Sequence, residues 1–346
     1  MFKINKIISN SKILYQDKNI IYIAKGYRIF KSYNDGVTWE FEGKVVDKKY
    51  SFLSIFSRLL NRLLRIEISN MYILEDGSRV VIAKKGIFVA KPKSRKYVKT
   101  FNVIRGNKPM NICIDNDGMI FFGEYFLNGK FKDLDRSEVH IYKSEDNAQS
   151  WNICYTFPKN TIRHIHGIFY DKYTNMIWIT TGDSNSECMI ANTSNAFKSI
   201  NIVKSGYQKY RAVTLLFYKD YIVYGTDTEH EQNYIYMFFR KDNEEKCLQT
   251  LQGSVLTATQ FGNMAALSTA VEPSKVNNHM YAHIWFSKNG LEWEDIYHAK
   301  KDKWSFKYFQ FGRILFPHNA ITENEITFTG HSLEGIDNKT IICRKF

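Results

Sequence analysis

The sequence predicts an all-β fold built from repeated four-stranded antiparallel sheets, and three observations support this prediction. One short pattern occurs three times: an apolar, strand-like run, a polar turn rich in Asn, Asp and Gly, and then a Trp. Such a turn between apolar runs is typical of a β-hairpin. Strand-like segments also recur at intervals of roughly fifty residues, the length of a four-stranded repeat with its loops. Finally, 22 Tyr and 25 Phe against only 5 Pro favour many short, twisted strands.

The repeated turn occupies Ser32–Trp39, Ser144–Trp151 and Ser287–Trp293. The first copy has Asn34 at the usual Asp position, the second has Ala148 where Gly is expected, and the third is one residue shorter. The copies resemble the Asp-box, or BNR, repeat (Ser-x-Asp-x-Gly-x-x-Trp) of sialidase-like β-propellers. The resemblance implies a propeller whose Asp-box turns are structural and lie on the rim opposite the working face.

The spacing of the repeats predicts a single domain over residues 1–346, a β-propeller that most simply has seven four-stranded blades. Six blades remain compatible, because the second, fourth and fifth units lack a convincing Asp-box. The last unit supplies only three strands. We therefore predict that a strand near residues 11–15 adds its outer strand and closes the ring. The third strands of the blades are expected to begin near Tyr27, Gly86, Val139, Met189, Tyr234, Ile284 and Thr340.

Residues 51–66 break the β pattern and predict one amphipathic helix inserted between the first two blades. Arg58, Arg62 and Arg65 lie opposite the apolar positions. Such a helix can pack on its own domain or on a second subunit, which would make an oligomer. A basic amphipathic helix can also contact an anionic membrane surface. The apolar positions at helical spacing are Phe52, Ile55, Phe56, Leu59, Leu60, Leu63 and Leu64.

The net charge of +13 favours polyanionic partners, although a Lys-rich surface alone would give the same value. Nucleic acid is not a predicted partner, because no P-loop, zinc-finger spacing or recognised nucleic-acid-binding motif occurs. The five cysteines are scattered without a CxxC pair, and no apolar stretch of a signal peptide follows the N-terminus. We therefore expect a cytoplasmic protein with reduced thiols.

Three arginines precede the first strands of successive units, namely Arg105, Arg163 and Arg211. In a propeller, equivalent positions of successive blades face one central cavity. Because a guanidinium makes forked hydrogen bonds to a carboxylate, the three arginines are candidate ligands of an acidic sugar. The alternative is that each arginine bonds within its own blade.

Carboxylates occupy the matching ends of the second strands. They are Glu124, Asp183, Asp227 and Glu272. Two such acids can serve as general acid and as nucleophile or base in glycoside cleavage. The alternative is structural ion pairing with the arginines.

His164 and His166 lie two residues apart on a probable inner strand, so both side chains project to one face. With Asp183 or Glu187 they could bind a divalent cation, or one of them could act as a base. No cofactor is otherwise indicated. Tyr125 and Tyr210 adjoin charged residues and are candidates for proton donation or for stacking on a sugar ring.

Residues 105–235 look like the BNR-type glycosyl-hydrolase-like proteins encoded in bacterial surface-polysaccharide clusters. The resemblance implies a glycan context without fixing a reaction. No sialidase catalytic residue is carried over, because Tyr27–Phe30 lacks the Pro of the sialidase Phe/Tyr-Arg-Ile-Pro motif. The matching segments are Gly123-Glu124-Tyr125, Arg163-His164-Ile165-His166-Gly167, Thr181-Gly182-Asp183, Tyr210-Arg211-Ala212 and Gly225-Thr226-Asp227.

We therefore expect an enzyme that cleaves a glycosidic bond in an acidic bacterial polysaccharide or its precursor. The arginines would hold the substrate carboxylate, with Tyr125 and Glu272 beside them, while the other acids, the histidines and Tyr210 would carry the chemistry. The same groups suit β-elimination of a uronate, so a polysaccharide lyase is the first alternative. A non-catalytic propeller that binds glycans, or that docks proteins through the inserted helix, is the second.

Overall fold

The structure is a computed structural model that describes residues 2–54, 57–129, 135–317, 320, 322 and 324–345. Strands account for half of the chain and helices for 7%, which confirms the all-β class. Within the described residues, the strands form three separate four-stranded sheets and two eight-stranded sheets, each of which divides into two antiparallel four-stranded units. Each unit buries a row of aliphatic and aromatic side chains against its neighbours.

The first strands along the chain are β1 (Phe2–Ser9), β2 (Lys12–Gln16), β3 (Ile21–Lys25), β4 (Arg28–Ser32), β5 (Glu40–Val45), β6 (Ile68–Ile73), β7 (Arg79–Ala83), β8 (Gly86–Ala90), β9 (Lys96–Asn102), β10 (Cys113–Ile114), β11 (Ile120–Gly123), β12 (Val139–Ser144) and β13 (Asn152–Phe157). They are followed by β14 (His164–Asp171), β15 (Met176–Gly182), β16 (Met189–Thr193), β17 (Asn201–Ser205), β18 (Leu216–Phe217), β19 (Tyr221–Gly225), β20 (Asn233–Phe239), β21 (Glu245–Leu251), β22 (Val255–Phe261), β23 (Met264–Val271), β24 (Tyr281–Ser287), β25 (Glu294–Lys300), β26 (Gly312–Leu315), β27 (Glu325–His331) and β28 (Lys339–Lys345). The helices are α1 (Lys48–Leu53), α2 (Arg58–Leu64) and α3 (Phe306–Phe309), with short 3₁₀ turns at Asn185–Glu187 and Gln208–Tyr210.

The units follow one another along the chain as β2–β5, β6–β9, β10–β13, β14–β17, β18–β21, β22–β25 and β26–β28 with β1. The third strand of each unit begins within about three residues of its expected position. The last unit does take its outer strand from the N-terminus, but that strand is β1, which pairs antiparallel with β28.

The prediction that residues 11–15 supply this outer strand is wrong, because β2 pairs with β3 as the first strand of its own unit. The burial of the two segments explains the difference. Ile13 and Leu14 are 2% and 1% exposed, as suits an inner strand. Ile4 and Ile7 of β1 are about half exposed, as suits an outer strand at the edge of a sheet.

The single helix predicted over residues 51–66 is instead two short helices, α1 and α2. Asp47 caps α1 and Ser57 caps α2 through side-chain acceptors, so each helix has its own start. Ile55 and Phe56 lie outside the described residues. Arg62, expected on the polar face, is 1% exposed and donates to the carbonyl oxygen of Phe309 at 2.9 and 2.8 Å.

Helix α2 therefore packs on α3 and on the last unit of its own domain through Arg62, whereas Tyr50 and Leu53 of α1 pack against the core of the first two units. Contact with a second subunit or with a membrane surface stays a prediction. Among the described residues, none of the helices has the length and apolar character needed to span a membrane.

The three turns that resemble Asp-boxes share one hydrogen-bond pattern, in which the Ser hydroxyl and a side-chain oxygen of Asn or Asp accept from backbone N–H groups of the turn. In the first copy, Gly36 N donates to Ser32 Oγ at 2.9 Å and Thr38 N donates to Asn34 Oδ1 at 2.9 Å. In the second, Ala148 takes the position of Gly36 with a φ of 64°. A Gly would adopt this left-handed conformation without strain, whereas the Cβ atom of Ala148 crowds the backbone there.

A fourth turn with the same pattern follows β16, in a unit where no convincing Asp-box was predicted. Phe197 N donates to Thr193 Oγ1 at 3.2 Å, and Ser199 N donates to Asn195 Oδ1 at 3.0 Å. Phe197 replaces the Gly with a φ of 67°. The unit therefore keeps the hydrogen bonds of the Asp-box while losing its Gly and its Trp.

Candidate functional site

The candidate site lies where the first strands of the units begin and the second strands end. His164 opens β14, and its partner in the antiparallel register is Gly182, the last residue of β15. Asp183 therefore follows directly beside the two histidines. Gly182 is required here, because a Cβ atom at this position would lie 2.6 Å from Cε1 of His166.

His164, His166 and Asp183, with Arg163 and Arg211, form what we call the histidine–aspartate cluster. Nε2 of His164 and Nε2 of His166 lie 3.1 Å apart, and each lies close to Asp183 Oδ1, at 3.3 and 3.2 Å. Arg163 Nη1 lies 2.7 Å from Asp183 Oδ2, and Arg211 Nη2 lies 3.3 Å from Oδ1. All five residues come from the β14–β15 hairpin and the loop before β18, and all are largely buried.

Tyr125 and Asp227 extend this cluster in two directions. The ring of Tyr125 lies 4.3 Å from the His164 ring, centroid to centroid, and the residue is 37% exposed. It therefore stands between the buried imidazoles and solvent. On the other side, Asp227 Oδ2 lies 3.5 Å from Arg211 Nε, so Arg211 links two carboxylates from neighbouring units.

The environment shifts the pKa values of these groups in different directions. Burial lowers the pKa of His166 to about 4. Burial alone would raise the pKa of Asp183, but the adjacent imidazoles and Arg211 hold it well below its usual range. Burial raises the pKa of Asp227 to about 8, against the opposing charge of Arg211. Burial and nearby Glu229 also raise the pKa of Glu272.

Arg105 and Glu124 do not join the cluster, because they pair with each other at the edge of their own unit. Arg105 Nε donates to Glu124 Oε1 at 3.0 Å, and its Nη2 contacts the other carboxylate oxygen. Glu124 also accepts from the His140 backbone N–H at 2.9 Å. Of the three arginines expected to converge, the structure brings together Arg163 and Arg211.

Tyr210 also lies apart from the cluster. Its hydroxyl donates to Glu245 Oε2 at 3.1 Å, and Glu245 belongs to the outer strand of the next unit. The ring is 7% exposed. The structure therefore does not bring Tyr210 into the histidine–aspartate cluster, because its hydroxyl bonds to the partly buried Glu245 instead.

A second charged cluster, which sequence reasoning missed, surrounds Glu67. Its carboxylate has four basic neighbours. Lys108 lies 3.3 Å away, Lys12 3.5 Å, and Arg313 and His331 3.7 Å each. We call these five residues the Glu67 cluster. Burial lowers the pKa of Lys12 to about 7.

The Glu67 cluster occupies positions equivalent to those of the histidine–aspartate cluster. Lys12 opens β2, Glu67 directly precedes β6, and His331 ends β27. The same positional reasoning would have found these residues, had β2 not been assigned to an outer strand. Because first strands begin and second strands end at the same end of the units, both clusters belong to one end of the molecule.

Two groups among the described residues have the composition and proximity to hold a metal ion. One is His164, His166 and Asp183, all buried. The other is His283 with Asp295 and His298, of which only His283 is buried. Its His283 Nδ1 already lies 2.7 Å from Asp295 Oδ2 on the outer strands β24 and β25.

No known protein-family profile and no curated protein sequence matches the chain. Several solved structures are similar in fold. The extracellular domain of BT4673 from B. thetaiotaomicron superposes with a TM-score of 0.60 at 12% identity, over 100% of this chain and 40% of that one. A chain of the mitotic checkpoint complex superposes with a TM-score of 0.57 at 8% identity, over 99% of this chain and 95% of that one. The AfRom2 CNH domain superposes with a TM-score of 0.53 at 8% identity, over 100% of this chain and 97% of that one.

These similarities support a β-propeller fold for the chain. At such low identity they show the fold alone. The similar structures belong to proteins of mixed function.

Proposed function

We propose that the chain is a seven-bladed β-propeller enzyme that cleaves a glycosidic bond in an acidic glycan at the end of the ring where the two clusters lie. One observation supports this most: Arg163 and Arg211, from successive units, both contact Asp183, and Arg211 continues to Asp227. Charged groups from several units thus meet at one place. Burying these charges costs desolvation energy, and a binding or catalytic role at this place would account for that cost.

Asp227 is the proposed general acid. Because burial raises its pKa to about 8, the carboxyl group is protonated near neutral pH. A protonated carboxyl can donate its proton to the departing glycosidic oxygen. Tyr125 is the most exposed residue of this region, and its ring offers a surface on which a sugar can stack.

The Glu67 cluster is the proposed binding site of the acidic group. Its four basic side chains face one carboxylate, so positive charge is in excess. Among the described residues, Arg313 Nε and His331 Nε2 are buried without a hydrogen-bond partner. A uronate carboxylate would supply the missing acceptor and the missing negative charge.

Mass spectrometry of digests tests this function. The purified protein is incubated with a panel of acidic polysaccharides, including the surface polysaccharide of its own host. Hydrolysis adds the mass of one water for each cut. Asp227→Asn should lower kcat by about 100-fold or more, as expected for loss of a general acid. Asp117→Asn, which changes an exposed acid far from the cluster, is the matched control and should keep full activity.

A second candidate, β-elimination of a uronate, is favoured by the contact between Tyr125 and His164. A neutral imidazole can abstract the C5 proton while the tyrosine protonates the leaving oxygen. The same digests distinguish the two reactions, because elimination adds no water and leaves an unsaturated, ultraviolet-absorbing uronate. If a polysaccharide binds but is never shortened, the protein is a glycan-binding propeller and the enzymatic proposal fails.

A further inference from the structure

Three potential ligand atoms of the histidine–aspartate cluster form a nearly equilateral triangle. Its corners are Nε2 of His164, Nε2 of His166 and Oδ1 of Asp183. Its edges are 3.1, 3.3 and 3.2 Å. Tetrahedral zinc with bonds of about 2.0 Å places neighbouring ligand atoms about 3.3 Å apart. The three atoms therefore already have the spacing of ligands that share one ion.

The outer nitrogens of the two imidazoles fix which ring atoms can coordinate. His164 Nδ1 lies 3.0 Å from the carbonyl oxygen of Phe126, and His166 Nδ1 lies 3.3 Å from that of Ala212. A carbonyl oxygen can only accept, so each Nδ1 carries a proton, and a ring that is protonated only there has a free lone pair on Nε2. Histidines that ligate metals are held in the same way by an acceptor behind the ring.

This arrangement turns three acceptor atoms toward one point without a hydrogen atom among them. Two imidazole lone pairs and a carboxylate oxygen about 3 Å apart repel one another unless a cation lies between them. We propose that His164, His166 and Asp183 bind a divalent transition-metal ion, such as Zn²⁺, through Nε2, Nε2 and Oδ1. Two imidazoles and one carboxylate are a familiar ligand set for such ions, and they leave a coordination position open.

The two arginines of the cluster determine how the carboxylate is presented. Arg163 Nη1 holds Asp183 Oδ2 at 2.7 Å and so turns Oδ1 toward the imidazoles. Arg211 Nη2 lies 3.3 Å from the same Oδ1 but is shared with Asp227. The metal would lie beside the ring of Tyr125, from which side a sugar oxygen can approach its open position, and Arg211 would link it to Asp227. This site deepens the proposed glycan cleavage, but metal binding is measured without substrate, so either idea can fail alone.

Calorimetric titration of the metal-free, full-length protein with Zn²⁺ tests the site. The wild type should bind one equivalent at this cluster. His164→Gln and His166→Gln keep a side chain of similar length and polarity, and each should weaken binding by about 100-fold or more. His283→Ala removes the other candidate group and should leave this affinity unchanged.

Co²⁺ serves as a spectroscopic probe of the same site. Bound by nitrogen and oxygen, it should give visible absorption bands without the strong near-ultraviolet band of a cobalt–thiolate bond. This readout separates the cluster from binding by a cysteine such as the exposed Cys247. Zn²⁺ should also raise the melting temperature of the wild type but not of the two Gln variants. Melting curves in chelator show that each variant folds.

Three results would overturn the proposal. If Zn²⁺ at millimolar concentration does not bind the wild type, then a shared proton, not a metal, joins the imidazoles to Asp183. Equal affinity in wild type and His166→Gln would place the ion elsewhere. Loss of all binding in His283→Ala would assign it to the outer group of His283, Asp295 and His298.

Discussion

The two charged clusters at one end of this molecule each place one carboxylate among four basic side chains, but they differ in the kinds of atoms that face the carboxylate. In the histidine–aspartate cluster, one carboxylate is surrounded by two guanidinium groups and two imidazoles whose free nitrogens face it. In the Glu67 cluster, one carboxylate must compensate two lysines, an arginine and a histidine. Both clusters lie at equivalent positions of the units, so the fold alone does not determine which ligand each cluster can bind.

The difference shows what each cluster is suited to bind. The first converges three acceptor atoms on one point and suits a cation. The second leaves positive charge and buried polar atoms in excess and suits an anion. A ligand with an acidic group and a sugar oxygen could engage both at once. The following predictions test this contrast, from the largest expected effect to the smallest.

Glu67→Gln should be the most destabilising change. It keeps the shape of the side chain but leaves four basic groups close together without a counter-charge. Loss of one partner from such a buried set costs about 3–5 kcal/mol in the free energy of unfolding. Urea denaturation at pH 7 measures it. Glu145→Gln, which changes a carboxylate that is 66% exposed, should cost less than about 0.5 kcal/mol. Equal effects of the two changes would show that Glu67 does not hold its cluster together.

Asp227→Asn should change how stability depends on pH. The folded protein keeps Asp227 protonated up to about pH 8, whereas the unfolded chain releases that proton near its ordinary value of 3.8. The folded state therefore binds more protons between these values, and this residue makes stability fall as pH rises through that window.

The Asn side chain cannot ionise, so the variant should gain stability relative to the wild type between pH 5 and pH 8, by roughly 2–4 kcal/mol. Chemical denaturation of both proteins at several pH values measures the difference. Parallel pH profiles would mean that Asp227 is ionised in the folded protein and is no general acid.

Lys12→Met should have a smaller effect, in a different pH window. Burial lowers the pKa of Lys12 to about 7, from an ordinary 10.5 in the unfolded chain. The unfolded state binds more protons between these values, so Lys12 makes stability rise as pH rises from 7 to 10. The variant should lose about 1–3 kcal/mol of that rise. Lys25→Met, at an exposed lysine, is the control. An unchanged slope would show that Lys12 stays charged beside Glu67.

Arg313→Gln should have the smallest effect on the protein but a specific effect on anion binding. Sulfate or galacturonate should raise the melting temperature of the wild type by binding the Glu67 cluster, and the variant should lose most of that rise. We expect about 1 kcal/mol of anion-dependent stabilisation at ten times the dissociation constant. Arg344→Gln, on the exposed outer edge, should keep the full response. The anion site is wrong if Arg313→Gln responds like the wild type.

Sequence reasoning was most successful where strands and turns have strong local signals. The three Asp-box turns have the hydrogen bonds that their pattern predicts, and the end-of-strand positions in the middle of the chain do bring Arg163, His164 and Asp183 together. Both successes depend on residues close in sequence or on one hairpin. The fourth turn was missed because Phe197 replaces the Gly that marks the pattern.

The failures involve contacts between distant parts of the chain. The pairing of β1 with β28 has no local signal, because the two strands come from opposite ends of the sequence. The Glu67 cluster joins residues as distant as Lys12 and His331, and it was missed because residues 11–15 were assigned to an outer strand. Arg62 was placed on a polar helix face, but its partners Asp302 and Phe309 are some 240 residues away. The bond of Tyr210 to Glu245 was missed for the same reason, since Glu245 belongs to the next unit.

A crystal structure of the wild-type protein grown with Zn²⁺ and galacturonate would test most directly whether one end of the ring holds a cation site beside an anion site. The predicted result is an anomalous zinc peak about 2 Å from Nε2 of His164 and Nε2 of His166, with the uronate carboxylate on Arg313 or Lys12. Zinc found only at His283, with the uronate bound away from Glu67, would contradict the account.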